Sequence, residues 1–367
     1  MSQSLSAPAG FVRGALVSAT TASHPRTAYL TGLRGYAALG VVAIHTGMGG
    51  IGSLGEFFAS LVNHGKYGVS IFFVLSAYSI CLSLAGQKTI RLRPYWMRRI
   101  SRIIPLYFTL LIVAWLIGYQ SYWGDVLNRP HDLTSLLGHF SFYNILDVRY
   151  ANNALGVEWS IPVEFFFYVF LPGMVLLSRR FWGGLVLLVL CHGCQKVSCF
   201  LPSYIEPQSG YQYLEGIWRP FAYVWCFAAG VLACAVATRH TQFKQWFERR
   251  PFFAASLGVW LGTLAFYSEV PHAFYSVLCI ALIFTAGPAN RLSRCLLENR
   301  VQLFFGNISF SMYMCHHMLW KLLSPHLSGS SPCKFVQYFI VLCVVSLLTY
   351  TLLEYPFFHK KTRGGMQ

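Results

Sequence analysis

The run YLTGLRGYAALGVVAIH holds an arginine and a histidine eleven residues apart, Arg34 and His45. On an α-helix that spacing is close to three full turns and about 16 Å of rise, so both side chains project from nearly one face. Gly35, Ala38 and Gly40 surround them, and such small residues let a second helix or a ligand come close. An imidazole inside an apolar span is costly unless it faces a cavity or a partner. In a cavity it serves as a proton acceptor or a nucleophile, and against a partner it is a packing histidine. Arg34, near the boundary, either snorkels to the surface or holds an anion.

A second run, NNALGVEWSIPVEFFFYVF, carries Glu164 roughly 10 Å into an apolar stretch, counted at helical rise. A carboxylate there is protonated or paired. It is either an interhelical hydrogen bond or the partner that orients an imidazole, as carboxylates do in catalytic dyads. Glu158 lies nearer water and is the weaker candidate. A third run, GNISFSMYMCHHMLW, sets Ser309, Tyr313 and His316 at i, i+4 and i+7, a polar stripe that glues helices together or lines a site. His316 and His317 point about 100° apart, so at most one is expected in the cavity of His45. A fourth, RLRPYWMRRISRIIPLYF, gathers Arg91, Arg93, Arg98, Arg99 and Arg102 into the loop ahead of a span. Basic loops set topology, yet this density of guanidinium groups also suits phosphates, which arginine grips through bidentate bonds. A cytoplasmic phosphate-bearing donor, a coenzyme A thioester included, fits.

The elements that must position these groups are membrane helices. With 55% hydrophobic, 17% aromatic and 11% charged residues in 367, the chain lacks the polar surface of a soluble protein. Lipid tolerates only helices or closed barrels, and the apolar runs are continuous rather than alternating. The fold class is therefore all-α, a polytopic membrane protein. At about 20 residues per span the runs predict ten helices, near 31–51, 66–86, 103–120, 157–177, 182–201, 217–236, 251–268, 272–288, 304–324 and 334–354. With an even number of spans both termini share a side, and that side carries 21 of the 28 Lys and Arg, so both termini are expected in the cytoplasm. The net charge of +16 then serves topology and anionic lipid, with nucleic acid excluded.

Domain organisation follows: a cytoplasmic tail over 1–28, a membrane domain over 29–357 and a second tail over 358–367, with no internal repeat. The apolar piece Gly14–Ala19 is too short for the centre of a secretory signal. Most of the eleven cysteines sit in apolar runs as packing groups. Cys191, Cys194 and Cys199 include CxxC spacing but no second ligand pair, so no metal is expected. The loop 121–156 offers Trp123, Asp125, Asp132, His139, Tyr143 and Asn144, a mix suited to stacking on a sugar or to an ordinary aromatic interface.

Together these segments resemble membrane acyltransferase family 3, which includes O-antigen, exopolysaccharide and nodulation-factor O-acetyltransferases. The resemblance runs along nearly the whole chain: Arg34 to His45, IFFVLSAYSI at 71–80, RRISRIIPLY at 98–107, WSIPVEFFFY at 159–168, ISFSMYMCHH at 308–317 and EYPF at 354–357. Ala77 stands where glycine is common and Pro162 where an ordinary helix former is usual; neither change removes a reactive group. The soluble hydrolase-like extension of some members is not among these residues, so the membrane part or a partner is expected to complete the transfer.

The resemblance implies a bacterial inner-membrane enzyme that moves an acetyl group from acetyl-CoA to a hydroxyl of a saccharide or lipid-linked saccharide. Its site residues would be His45, Glu164 and Arg34 for catalysis, and Arg98, Arg99, Arg102, Trp159, Ser309, Tyr313 and His316 for substrate binding. His45 would take the acceptor proton or carry the acetyl group, with Glu164 holding the imidazole. The rival is a proton-coupled secondary transporter with Glu164, His45 and His316 as an ion relay; it has no evident need for the arginine segment or the Arg34 to His45 spacing.

Overall fold

A computed structural model describes residues 6–21, 24–197, 200–201, 203–205, 210–267 and 269–359, and every regular element among them is helical. Six helical segments of the described residues are long and apolar enough to cross a membrane: Pro25–Leu54, Glu56–Ala85, Leu92–Leu116, Ser160–Ser178, Pro220–Arg239 and Ser331–Phe357. Phe11–Thr20, Trp182–Val197, Phe252–Phe266 and His272–Thr285 are apolar but shorter. Each of the ten expected intervals overlaps helix among the described residues.

Nine helices matter for the site. They are α1 (Ser6–Thr20), α2 (Ala28–Thr46), α3 (Gly68–Ala85), α4 (Leu92–Leu116), α5 (Ser160–Ser178), α6 (Val224–Arg239), α7 (Arg300–Asn307), α8 (Ser309–Leu323) and α9 (Ser331–Thr349). Aromatic stacking ties the centre together: Phe227 of α6 stacks on Phe73 of α3 at 5.0 Å and on Phe167 of α5 at 4.1 Å between ring centroids. Such pairs add to the burial of their large apolar faces. Helix α2 packs at backbone distance, Gly35 against Gln302 and Gly306 of α7 and Gly32 against Leu297 at the end of the preceding helix Arg291–Leu297, with no room for a Cβ. The Gln302 amide seals this contact by donating to the Gly32 carbonyl at 2.7 Å. The small residues of α2 thus admit protein rather than a ligand: Gly35 meets α7, Gly40 meets Gly65, and Ala38 is buried in the core.

Four expectations need correction. The arginine segment is not a loop, since α4 begins at Leu92 and carries Arg93, Arg98, Arg99 and Arg102 on its first turns; Arg and Leu are good helix formers there. The interval 304–324 is two helices, α7 and α8, which part at Ile308. The N-terminal segment includes a docked helix, α1. Asn307 donates its amide to the carbonyls of Ser18, Ala19 and Thr21 at 2.9–3.1 Å, closing the carbonyl end that a helix leaves open, and Phe11 meets Tyr355 edge-on at 5.4 Å. Both ends of the described chain therefore lie together at one end of the bundle.

The fourth correction concerns the loop between α4 and α5, whose polar groups turn inward. Asp132 caps the helix Leu133–Phe140. His139 is fully buried, donating from Nε2 to Asn153 Oδ1 at 2.9 Å while Nδ1 meets Tyr107 and Asn144. Glu158 gathers the N–H groups of Ala154, Gly156 and Val157 at 2.6–3.0 Å, and Trp123 packs on Tyr211 and Trp218. Most of these side chains satisfy buried polar groups, leaving Tyr143, Asp125 and the capping Asp132 as the exposed members of the expected sugar platform. The expected C-terminal tail lies outside the described residues from 360 onward, as does Cys199 of the cysteine cluster.

Candidate active site

Five helices line a narrow, partly open cavity. Helix α2 contributes Arg34, α3 Phe72, Phe73 and Ser76, α4 Arg102, α5 Ser160, Glu164 and Tyr168, and α8 Ser309, Phe310 and Tyr313. Polar lining inside an apolar bundle marks the place where a polar substrate is compensated. Arg34, Glu164, Arg102, Ser309 and Tyr313, which come from four separate runs, meet in this one space.

At the end nearer the chain termini sit the charges. Glu164 Oε1 accepts from the hydroxyl of Ser76 at 2.6 Å and from that of Tyr168 at 2.5 Å. Its Oε2 has no hydrogen bond among the described residues. Arg34 donates from Nη2 to Ser79 Oγ at 3.1 Å, and Glu164, Arg99 and Arg102 are its charged neighbours. Arg102 lines the cavity with no hydrogen-bonded partner among the described residues. Arg99 stacks over the rings of Tyr95 and Tyr168 at 5.5 and 5.9 Å, and its Nε is buried without a hydrogen bond. With two guanidinium groups and one carboxylate on its wall, the cavity carries an excess positive charge that an anion would neutralise.

At the other end are histidines. The cavity stops at Tyr313, whose ring lies 5.8 Å from that of His316 on the next turn. Tyr313 donates its hydroxyl to the Val157 carbonyl at 2.7 Å and accepts from Ser160 at 2.8 Å. The His45 ring lies 4.9 Å from that of His316 and 5.4 Å from that of His317, so both neighbours reach it, against the expectation of at most one. Helix α8 approaches α2 closely enough that both rings reach His45 despite the difference of about 100° in direction, the three forming a triangle with His316 and His317 6.4 Å apart. His317 is held at Nδ1 by the Leu155 carbonyl at 3.2 Å, beneath Gly156, where a Cβ would run into its ring. His45 keeps open surface, and its Nε2 has no hydrogen bond among the described residues.

Glu164 does not hold this imidazole. Its hydrogen-bond partners are Ser76 and Tyr168, whereas the Nδ1 of His45 faces the Val41 carbonyl at 2.9 Å and His316 Nε2 at 3.1 Å. Glu164 lies on the arginine side of the cavity, too far down the bundle for a hydrogen bond to the last turn of α2. Five expected site residues do not line the cavity: Trp159 packs on Tyr223 at 5.5 Å, Arg98 is exposed on α4, and Arg99, His45 and His316 lie beside it. Ser309 does line it, with its hydroxyl spent on the Gly306 carbonyl at 2.7 Å. Ser76, Ser79 and Tyr168 were not singled out from the sequence; their signals are two hydroxyls three residues apart on an apolar helix, and a tyrosine four residues after Glu164. Among the described residues no group of three or more His, Cys, Asp or Glu side chains is placed to hold a metal ion.

Known proteins resemble this chain along most of its length. The acyltransferase domain family matches residues 27–351. The chain is 24% identical over 380 aligned positions to a Bacillus subtilis protein provisionally named peptidoglycan O-acetyltransferase YrhL, covering 92% of this chain and 55% of that protein. It is 25% identical over 352 positions to the peptidoglycan O-acetyltransferase OatA of Listeria monocytogenes, covering 83% and 51%. A provisionally named O-acetyltransferase of Staphylococcus aureus is 28% identical over 175 positions, 42% of this chain and 27% of that protein. The chain thus spans about half the length of the first two relatives. No solved structure matches. With a family match over most of its length and a polar cavity between an arginine cluster and a histidine cluster, the chain belongs to the acyltransferase domain family.

Proposed function

We propose that this chain transfers an acetyl group from cytoplasmic acetyl-CoA to a hydroxyl of an envelope or secreted glycan, within a bacterial inner membrane crossed by ten helices with both termini in the cytoplasm. The observation that carries the reading is the cavity itself, with Arg34 and Arg102 at one end and, at the other, Tyr313 one turn from the His45 and His316 rings. Arg34, Arg99 and Arg102 bind the donor's phosphates, Glu164 with Ser76 and Tyr168 fixes the polar wall, and the thioester arm runs between Phe72, Phe73 and Phe310 toward the histidines.

The acceptor hydroxyl gives its proton to His45 Nε2 while its oxygen attacks the thioester carbonyl carbon. The carbon–sulfur bond then breaks, and the leaving thiolate takes the proton from the imidazolium. Products are the acetyl ester and free coenzyme A thiol, so atoms and charge balance. The family resemblance makes O-antigen, exopolysaccharide and nodulation factor candidate acceptors, and the names of the relatives add peptidoglycan. The test compares O-acetyl esters on the isolated glycan, by mass spectrometry and proton NMR, in cells with wild type, His45→Ala or no copy at matched membrane levels. Esters only with wild type support the reading; normal esterification by His45→Ala removes His45 from the chemistry, and no difference among the three overturns the acetyl transfer.

A further inference from the structure

Three histidines meet one turn beyond Tyr313, the last cavity-lining residue of α8, and the backbone dictates where each carries its proton. His45 Nδ1 faces the Val41 carbonyl at 2.9 Å, His316 Nδ1 the Tyr313 carbonyl at 2.6 Å, and His317 Nδ1 the Leu155 carbonyl at 3.2 Å. A carbonyl oxygen only accepts, so each neutral ring carries its hydrogen on Nδ1 and a lone pair on Nε2. His316 Nε2 lies 3.1 Å from His45 Nδ1. The hydrogen bond therefore runs in one direction, from His45 Nδ1–H, shared with Val41, into the lone pair of His316. His317, edge-on to His45 with its Nδ1–H committed to Leu155, has no such contact, and the hydrogen bonds of Glu164 go to Ser76 and Tyr168.

We propose that His316 is the positioning residue of the acyl transfer: a neutral imidazole that fixes the His45 ring with Nε2 toward the acceptor hydroxyl and shares the charge His45 acquires when it takes the proton. This rests on the proposed function above and moves to a histidine the role that a carboxylate fills in a hydrolase triad. The support behind His316 is itself built. Its backbone carbonyl accepts from the fully buried Tyr338 of α9 at 2.7 Å, and the turn before it is pinned by Tyr313 to Val157 and Ser160. His316 is wholly buried while His45 keeps open surface, so the outer ring handles substrate and the inner one serves it. When His45 Nε2 accepts the acceptor's proton, its Nδ1–H points into a lone pair and a carbonyl oxygen, both of which stabilise the imidazolium until the proton passes to the leaving thiolate.

The test uses the full chain in lipid nanodiscs, acetyl-CoA as donor, and as acceptor the unacetylated glycan prepared from cells lacking the gene. Ester formation is measured across donor concentrations for wild type, His45→Ala, His316→Ala and His316→Gln, with equilibrium binding of labelled acetyl-CoA as the check on folding. His316→Ala is expected to lower kcat roughly 100-fold, the scale of one positioned acid–base group, with KM for acetyl-CoA within about twofold of wild type. His316→Gln restores an acceptor oxygen and is expected to recover about tenfold of that loss. An inactive His45→Ala beside a His316→Ala with kcat within about threefold of wild type overturns the positioning role and leaves the transfer reading standing. Loss of donor binding in both His316 variants also overturns it, in favour of a packing role. If His316→Ala does not survive purification, His316→Gln decides alone: kcat between wild type and His45→Ala with donor binding kept supports the proposal, and any other result overturns it. A fully active His45→Ala removes both readings together.

Discussion

Replacing Arg34 with alanine separates an anion-binding arginine from one that only marks the membrane boundary. A guanidinium has five N–H donors, and in the described structure Arg34 spends one on Ser79 at 3.1 Å. About four therefore remain for a phosphate, enough for one bidentate grip. Removing that grip from a cavity open at one side costs about 2–3 kcal/mol, or roughly 30- to 140-fold in donor affinity at 1.4 kcal/mol per tenfold. Lysine keeps the charge but not the planar fork, so Arg34→Lys is expected to lose about tenfold. The assay is equilibrium binding of labelled acetyl-CoA to the protein in nanodiscs, with thermal unfolding recorded alongside. Wild-type affinity in Arg34→Ala, at wild-type stability, refutes the assignment and reduces Arg34 to a snorkelling residue bonded to Ser79.

Three further outcomes are expected. Tyr168→Phe keeps the ring beneath Arg99 and deletes only the hydroxyl that Glu164 accepts at 2.5 Å; a loss of about 1–2 kcal/mol should appear as a roughly tenfold fall in ester formation at unchanged membrane level. Gly156→Ala places a Cβ against the His317 ring at a φ of +91°, a conformation that costs about 1–3 kcal/mol, so thermal unfolding should begin several degrees lower and activity should fall with it. Asn307→Ala leaves the last carbonyls of α1 without their amide donor, and hydrogen exchange over residues 11–20 should quicken by about fivefold, the equivalent of ~1 kcal/mol.

The helices were legible because continuous apolar runs in a chain with 11% charged residues have no other way to satisfy their backbone in lipid. Spacing also fixed which residues share a face: Ser309 and Tyr313 do line one cavity, and Arg34 and Glu164 reach it from other helices. What spacing withholds is which neighbouring helix that face meets. Glu164 was paired with the wrong partner because its depth and direction were readable while the hydroxyls of Ser76 and Tyr168 look neutral in a sequence. The docking of α1 was hidden for a related reason. Its apolar content resembles that of a weak tail, and the residue that caps it, Asn307, lies nearly 300 positions away.

The distribution of polar groups in this bundle carries a mechanistic consequence. Arg34 and His45 stand about 16 Å apart along α2, and the cavity wall toward Tyr313 includes the aromatic rings Phe72, Phe73 and Phe310. Such a wall offers no partner to a phosphate and no penalty to a thioester arm, so the same aromatics that stabilise helix packing also direct the ligand. Binding charge at one end and proton handling at the other are then built from different helices, α2 and α4 for the anion and the last turn of α2 with α8 for the base. Changes at Arg34 or Arg102 should therefore move donor affinity, and changes at His45 or His316 the turnover. A single variant that moved both equally would mean that the two ends act as one unit through α2, whose close packing on α7 at Gly35 and Gly306 is the rigid link between them.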